Sequence, residues 1–393
     1  MMKLLHLFIT SSKPVVEILM ITSVGFYMAL DGVNLLGPDS RKYLNDIVFY
    51  VFNPSLVGSR LADSVTYESL VKMWFMPVSL LLTFIIGSFL GWIVILITKP
   101  PPHLRGLIVG CCAAGNLGNM PLIIIPAVCK DIEGPFGDPE NCHKYGMGYV
   151  AFSMAIGSVY IWTYVYNLMR VLSNSPTEAQ PSIESSYKVP LISSKEEEEE
   201  DNHKVGRWDR FKRRMVSLSE KVNLSTIFAP TTIAAIIALV IGLIDPLREL
   251  IIGSVAPLGV LQDSVTLVGD GAIPATTLII GGNLLKGMRS SGMKKSSIAG
   301  VLVARYILLP ISGVLIVRGA YKLDLITSEP LYQFVLLIQY AVPPAMSLAY
   351  LAGTITQLFG TGESECSVIM LWAYGFASVS LTAWPTFFMW LVA

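Results

Sequence analysis

Charged residues are scarce in this sequence of 393 residues. Asp, Glu, Lys and Arg together make up 14% of it, against roughly 25% in a soluble domain, whereas apolar residues make up 53%. The 28 basic and 28 acidic residues give a formal net charge of zero, so no basic stripe is available for phosphate contacts. These shortages argue against a soluble domain and a nucleic-acid partner, and they indicate a polytopic membrane protein.

Histidine and cysteine are also rare, with four and five residues. All four histidines lie outside the long apolar segments or at their ends, so no converging set of metal ligands is predicted. The same segments contain no nucleophile, base and acid arranged for catalysis. We therefore expect neither an enzyme nor a cofactor. Cys111 and Cys112 are interpreted as small packed residues, whereas Cys129 and Cys142 bracket a polar loop and could pair as a disulfide.

Ten apolar stretches are long enough, at about 20 residues, to cross a bilayer. The first carries Glu17 and Asp31 and is not followed by a small-residue cleavage site, so it is interpreted as a retained helix. The sequence therefore predicts an all-α membrane protein with ten transmembrane helices. The predicted spans are 15–35, 43–62, 72–98, 105–129, 146–171, 226–245, 257–285, 297–319, 332–355 and 366–392.

A polar segment, 173–225, separates the first five spans from the last five. It is rich in Ser, Pro and Glu, with an acidic run followed by a basic stretch. Such a composition buries too little apolar surface to fold, which predicts a disordered linker; a regulatory or membrane-surface role is the alternative. Positive charges close to the membrane ends favour a cytoplasmic linker. The predicted domains are 1–172, 173–225 and 226–393.

The two apolar halves share features that indicate an internal repeat. Lys72 precedes Pro77 by five residues in the third span, and Arg305 precedes Pro310 by five residues in the eighth. Because five spans is an odd number, the second copy enters the membrane from the opposite side, which predicts two inverted repeats. Lys72 and Arg305 lie near the starts of their spans, and we expect them to snorkel or to pair with carboxylates.

The fourth and ninth spans are interrupted near their middles by polar residues and proline. The fourth reads Cys-Cys-Ala-Ala-Gly-Asn-Leu-Gly-Asn-Met-Pro over 111–121, and the ninth reads Gln-Tyr-Ala-Val-Pro-Pro over 339–344. Proline removes an amide donor and clashes with the preceding turn, so each span should split into two half-helices. Lipid cannot satisfy the freed backbone groups. A matching pair of breaks predicts that the broken helices cross near the midplane at a substrate site.

Half-helix N-termini at such a crossing would suit a carboxylate, through unpaired amides and the helix dipole. We expect the second half-helices to begin near Pro121 and Pro344. Polar kinks in the second and seventh spans could form the opposite wall, and Asp263 with Asp270 could form a proton relay. The structural alternative is that these polar side chains only form hydrogen bonds with the backbone groups freed at the breaks and kinks. The candidate substrate-binding residues are Asn53, Ser55, Asn116, Asn119, Pro121, Asp270, Thr276, Gln339, Tyr340, Pro343 and Pro344.

The motif Gly-Asn-Leu-Gly-Asn-Met-Pro at 115–121, the motif Tyr-Ala-Val-Pro-Pro-Ala-Met-Ser at 340–347 and the layout of five plus five spans resemble the plant PIN-LIKES proteins of the auxin efflux carrier superfamily. The resemblance covers both apolar halves. It implies a carrier of auxin, indole-3-acetic acid, in the endoplasmic reticulum membrane that limits the hormone available to signalling. It also implies an elevator-type fold, in which spans three to five and eight to ten move against the other four.

Two other functions fit the same sequence. A sodium-coupled organic-anion symporter of similar fold would show uptake that depends on sodium. A membrane protein that binds a hormone without transporting it would show saturable binding and no flux. In each case the partners are a small organic anion and the lipid bilayer; the sequence permits a homodimer but does not determine the oligomeric state. The preferred auxin, the driving force and the direction of flux do not follow from the sequence.

Overall fold

The computed structural model describes residues 2–130, 134–172, 230–253, 256–289, 293–345, 348 and 363–393. Within these ranges the regular structure is helical and no strand occurs beyond one isolated β-bridge. The predicted all-α class is therefore confirmed. The predicted linker at 173–225 lies outside the described residues.

The first half is a run of closely spaced helices. A π-helical turn at Val48–Phe52 joins α2 to α3, and another at Ile161–Val165 joins α8 to α9. Several of the helices carry proline in their first turn, where its missing amide has no partner to lose. The helices are α1 (Met2–Met28), α2 (Pro38–Ile47), α3 (Asn53–Ser64), α4 (Tyr67–Lys72), α5 (Phe75–Thr98), α6 (Pro102–Ala113), α7 (Asn119–Cys129), α8 (Pro139–Tyr160) and α9 (Tyr166–Leu172).

The second half is built in the same way. A third π-helical turn, Ala304–Leu308, joins α14 to α15 just before Pro310. A proline ring clashes with the carbonyl group four residues earlier, and the wider π turn makes room for it. The helices are α10 (Pro230–Leu243), α11 (Asp245–Ile251), α12 (Gly259–Asp270), α13 (Ala272–Arg289), α14 (Lys295–Val303), α15 (Leu309–Lys322), α16 (Pro330–Ala341) and α17 (Glu363–Val392).

Five continuous helical stretches in the described part of the chain are long and apolar enough to cross a membrane. They coincide with the predicted third, fifth, seventh, eighth and tenth spans. A sixth candidate, at the predicted sixth span, consists of α10 and α11, which meet at an angle of 104°. The other predicted spans are not among these candidates, so the count of ten stays a prediction. The five stretches are Leu70–Thr98, Pro139–Met169, Gly259–Leu285, Lys295–Lys322 and Glu365–Val392.

Helices pack in matching pairs, both between the two halves and within each half. Helix α1 packs along α13, and α10 packs along α3. Helix α17 also packs on α13, as α8 packs on α3. The contact of α1 with α13 is close because a Cβ atom at Gly25 would collide with the Leu278 backbone and one at Gly281 with the Thr22 backbone. Small residues of this kind allow helix backbones to approach in membranes.

Apolar side chains cover the outside of the helices as well as the core. Phe84, Phe334 and Phe388 are fully buried, whereas Ile97 and Val379 are at least 70% exposed. Large exposed apolar side chains occur on α1, α5, α10, α15 and α17. A soluble monomer rarely exposes so much apolar surface, so this outer surface suits contact with lipid tails.

A disulfide joins Cys129, at the end of α7, to Cys142, in α8. It closes the polar loop between these helices, so the pairing raised by the sequence is confirmed. The remaining cysteines, Cys111, Cys112 and Cys366, are free and buried.

Candidate functional site

The first break lies between α6 and α7. Helix α6 ends at Ala113, and Ala114 has an extended conformation with φ −83° and ψ 115°. Helix α7 then begins at Asn119, two residues before Pro121. The predicted break in the fourth span is therefore confirmed, and the second half-helix begins close to the expected proline.

The second break follows α16. This helix ends at Ala341, and Val342 is extended with φ −72° and ψ 150°. Pro343 and Pro344 have no amide hydrogen, so neither can donate the next helical hydrogen bond. The predicted end of the helix before the two prolines is confirmed. The half-helix expected after Pro344 lies outside the described residues, apart from Leu348.

The two breaks pair with each other through their backbones. The Asn116 amide donates a hydrogen bond of 2.8 Å to the Pro343 carbonyl oxygen, and the Ala345 amide donates one of 2.9 Å to the Ala114 carbonyl oxygen. Gly115 faces Pro344 between these bonds in an antiparallel bridge. Backbone groups that one break frees are thus satisfied by the other. The broken segments meet, as the sequence predicts, and we call this place the crossing.

Two predicted polar residues are anchored at the crossing. Asn116 Nδ2 donates a hydrogen bond of 2.9 Å to Tyr374 Oη, and Tyr374 Oη donates one of 3.1 Å to the Pro344 carbonyl oxygen. Tyr340 Oη lies 3.1 Å from Ser79 Oγ and donates to the Ser79 carbonyl oxygen at 3.0 Å. These bonds connect the crossing to α5 and α17. These bonds favour a structural role for the Asn116 and Tyr340 side chains, which is the alternative to substrate binding that the sequence left open.

Gln339 differs from its neighbours because its side-chain amide is buried without a partner. Its exposed fraction is 0%, and neither Nε2 nor Oε1 has a hydrogen-bond partner among the described residues. Buried amides are almost always hydrogen-bonded. An unsatisfied amide next to a break therefore points to a water molecule or a ligand. Pro121, Pro343 and Pro344 are also buried, whereas the side chain of Asn119 lies outside the described part of the chain.

Arg305 is the crossing residue that the sequence interpretation missed. It lies in the third π-helical turn and is 0% exposed. Nε donates to the Val342 carbonyl oxygen at 2.9 Å, and Nη1 donates to the carbonyl oxygens of Cys112 at 2.8 Å and Ala113 at 3.3 Å. The expectation that Arg305 snorkels or pairs with a carboxylate is wrong. It instead binds the carbonyl ends of both first half-helices, where the helix dipoles are negative.

The position of Arg305 in its predicted span already indicated a buried location. Arg305 is eight residues into the span 297–319, which is roughly 12 Å along a helix and too deep for easy snorkelling. Lys72, its counterpart in the first half, ends α4 and is exposed. The two positions match in sequence spacing but differ in environment.

The polar kink residues form a separate group. Asp270 is exposed and forms an ion pair with Arg60, with 2.6 Å between Oδ1 and Nη2. Thr276 Oγ1 donates to the Ala272 carbonyl oxygen within its own helix at 2.6 Å. Asn53 Oδ1 is buried and has no partner among the described residues, and Ser55 is partly buried. The bonds of Asp270 and Thr276 stay among α3, α12 and α13, so these two bonds do not join the group to the crossing.

Known proteins similar to this chain share its whole length. The sequence profile of the membrane transport protein family matches residues 10–385. Protein PIN-LIKES 3 of Arabidopsis thaliana is 83% identical over 396 aligned residues, which cover all of both chains. Protein PIN-LIKES 4 of the same plant is 72% identical over 418 aligned residues, again covering all of both chains. Protein PIN-LIKES 6 is 31% identical and covers 96% of this chain and 91% of its own.

Proposed function

Because the chain belongs to the membrane transport protein family, we propose that it carries auxin, indole-3-acetic acid, across the endoplasmic reticulum membrane by alternating access at the crossing. The observation that carries this proposal is the pairing of two broken helices through their backbones, with buried polar side chains around them. Irregular backbone at membrane depth is tolerated where it lines a transport site. The organelle and the hormone are proposed from the similarity to PIN-LIKES proteins, and such a carrier would control auxin availability and signalling.

The chemistry of the crossing suits this substrate. Indole-3-acetate combines a carboxylate with a flat apolar ring. The N-terminus of α7, which begins at Asn119 beside the crossing, supplies unpaired amides and a positive dipole end. The Asn116 and Gln339 amides add hydrogen-bond donors, while Tyr340 and Tyr374 supply flat apolar surface. We assign the carboxylate to the polar side of the crossing and the ring to its aromatic side.

The proposed architecture consists of two inverted repeats of five spans, 1–172 and 226–393, joined by a cytoplasmic linker. The matching helix pairs support it, since α1 packs on α13 as α10 packs on α3. In this proposal the crossing and the helices around it move, as in an elevator, against a scaffold made of α1, α3, α10, α12 and α13. Sliding of that kind would bring the crossing past the polar kink residues, which would then complete the site. These residues are Asn53, Ser55, Asp270 and Thr276.

The test is flux through the purified full-length chain in proteoliposomes. Labelled indole-3-acetate should accumulate with saturable kinetics, unlabelled indole-3-acetate should compete, and empty liposomes should show neither effect. Proton, sodium and voltage gradients are imposed one at a time. Uptake only under a sodium gradient would favour the organic-anion symporter, and saturable binding without flux would favour the hormone-binding protein. Absence of both binding and flux would contradict the auxin proposal.

A further inference from the structure

The described residues provide no carboxylate that pairs with Arg305. Among the described residues, Arg305 is the only charged side chain that is buried. Arg60 pairs with Asp270 and Lys144 pairs with Asp63, and the side chains of both pairs are partly exposed. A buried charge without a counterion is expensive. An arginine at this depth therefore calls for an anion that the side chains around it do not supply.

The sequence shows that the surrounding spans hold no carboxylate at all. The six predicted spans 72–98, 105–129, 146–171, 297–319, 332–355 and 366–392 contain no Asp or Glu. All the acidic residues within predicted spans, such as Glu17, Asp31 and Asp270, lie in the first, second, sixth and seventh. A rearrangement among the six spans, including their residues outside the described ranges, cannot give Arg305 a carboxylate partner.

One nitrogen of the guanidinium lacks an acceptor in the part of the chain that the structure describes. Nε and Nη1 donate to the carbonyl ends of α16 and α6, whereas Nη2 is buried and has no hydrogen-bond partner among the described residues. Nη2 lies against the backbone of Gly115, since a Cβ atom there would collide with it. Gly115 belongs to the crossing and precedes Asn116. The unpartnered amide of Gln339 lies on the helix that ends at the same crossing. Two buried donor groups at the crossing thus lack acceptors within the described ranges.

We propose that the Arg305 guanidinium is the cation that binds the carboxylate of the transported anion, with Nη2 as donor. This inference rests on the proposed function and specifies its substrate class as monocarboxylates that carry an apolar ring. The carbonyl bonds at Nε and Nη1 hold the guanidinium plane in place, so the anion meets a fixed donor. Binding would neutralise the only buried charge in the described part of the chain. The uncharged amide of the same molecule would leave that charge unbalanced, so selection would favour the acid.

The test compares acid and amide binding to full-length variants in lipid nanodiscs. The unmodified chain should bind indole-3-acetate more tightly than indole-3-acetamide. Arg305→Gln keeps side-chain donors for the carbonyl groups but removes the charge, and it should weaken binding of the acid by about 10- to 100-fold with little change for the amide. Arg305→Lys keeps the charge and should retain a preference for the acid. Arg318→Gln is the matched control, because Arg318 bonds to the Leu391 carbonyl oxygen away from the crossing, and it should behave as the unmodified chain.

A folded Arg305→Gln protein with the unmodified ratio of acid to amide affinity would overturn the inference. If that variant does not fold, the preference for an acid over its amide is tested on the unmodified chain instead. Its thermal unfolding midpoint is measured with sodium benzoate or with benzamide at equal ionic strength. Benzoate should raise the midpoint and benzamide should not; equal effects would overturn the inference. A rise with benzoate but no flux of indole-3-acetate would leave the anion site standing and reject the auxin carrier. Flux of indole-3-acetate through the unmodified chain, together with an unchanged ratio of acid to amide affinity in Arg305→Gln, would support the auxin carrier and reject Arg305 as the anion site.

Discussion

At the scale of single residues, Gly115 and Arg305 depend on each other. The guanidinium fits against the backbone of the first break only because residue 115 has no side chain. The guanidinium in turn satisfies carbonyl groups at the ends of α6 and α16. One missing methyl group therefore allows one cation to hold two half-helices together.

Gly115→Ala should displace the guanidinium and loosen the crossing. The added Cβ would collide with Nη2 and lie 2.9 Å from Val342 Cγ2, and overpacking of this kind costs about 1–3 kcal/mol. Unfolding in detergent should show that loss of stability, and the preference for indole-3-acetate over its amide should fall. Gly319→Ala is the control, since a Cβ there meets nothing within 4 Å and alanine favours helix by about 0.5–1 kcal/mol. Equal behaviour of the two variants would contradict the role of Gly115.

Asn116→Ala and Tyr374→Phe separate a binding role of Asn116 from a structural one. Both substitutions remove the bond between Asn116 Nδ2 and Tyr374 Oη, but only the first removes the amide. If Asn116 donates to the carboxylate, its loss should cost roughly 1.5–3 kcal/mol and weaken indole-3-acetate binding by one to two powers of ten. Tyr374→Phe should then have a smaller effect. Equal losses in equilibrium binding would show that Asn116 only secures Tyr374.

The sequence identified the crossing residues but not all of their partners. Polar residues beside proline in an apolar span predicted Asn116, Gln339 and Tyr340 at a break, and all three are buried there. Tyr374 and Arg305 were missed because helix periodicity predicts a face and a depth, not the segment that packs against that face. Each has a partner in the opposite half of the chain as well as one at the break after α16, and no local pattern encodes such contacts.

At the scale of helices, the prolines near the two breaks predicted where α6 and α16 end. It removes one donor and disturbs the preceding turn, so the ends of α6 and α16 followed from the sequence to within a few residues. Whether the freed backbone groups find partners is a tertiary question. The structure answers it with a bridge between the breaks, together with Arg305 in a π-helical turn that ends just before Pro310.

Replacing Pro343 and Pro344 together with Ala should impair transport more than binding. Alanine restores two amides and favours helix, so α16 should extend and withdraw the Pro343 carbonyl oxygen from the Asn116 amide. Flux in proteoliposomes should fall while some indole-3-acetate binding persists. Pro385→Ala, within α17, serves as the control for removal of a proline from a helix. Normal flux in the double variant would mean that the crossing tolerates a continuous helix.

The disulfide between α7 and α8 predicts how many thiols react. A denatured sample alkylated without reductant should carry three labels, on Cys111, Cys112 and Cys366, because Cys129 and Cys142 are joined. Reduction before alkylation should raise the count to five. Intact mass spectrometry measures both. Five labels without reductant would show that the loop stays reduced in the cell and lies on the cytoplasmic side.

At the scale of the whole molecule, composition settled the class and patterning suggested the layout. Scarce charge and long apolar runs predicted a helical membrane protein, and both the helices and their exposed apolar surface agree. The packing of α1 on α13 and of α10 on α3 could not be predicted. A helix face that contacts lipid and one that contacts another helix are both apolar, so hydropathy does not distinguish them. The close contacts at Gly25 and Gly281 arise only once the two halves are together.

The proposed orientation predicts which side a protease can reach. With the linker in the cytoplasm, a protease added to intact microsomes should cut within 173–225, where the sequence predicts disorder. A tag placed after Ala393 should be spared, because ten spans put both termini on the far side. Immunoblots of the fragments report both results. Digestion of the tag with protection of the linker would reverse the orientation.

The bridge between the two breaks also has a consequence for biosynthesis. The Ala114 carbonyl and the Asn116 amide pair with the backbone of residues 343–345, which the ribosome makes near the end of translation. At the usual rate of synthesis the first break must wait on the order of tens of seconds in the membrane, with backbone groups that lipid cannot satisfy. We therefore expect the nascent first half to be exposed to membrane quality control throughout that interval, and slower translation of the second half to lower the yield.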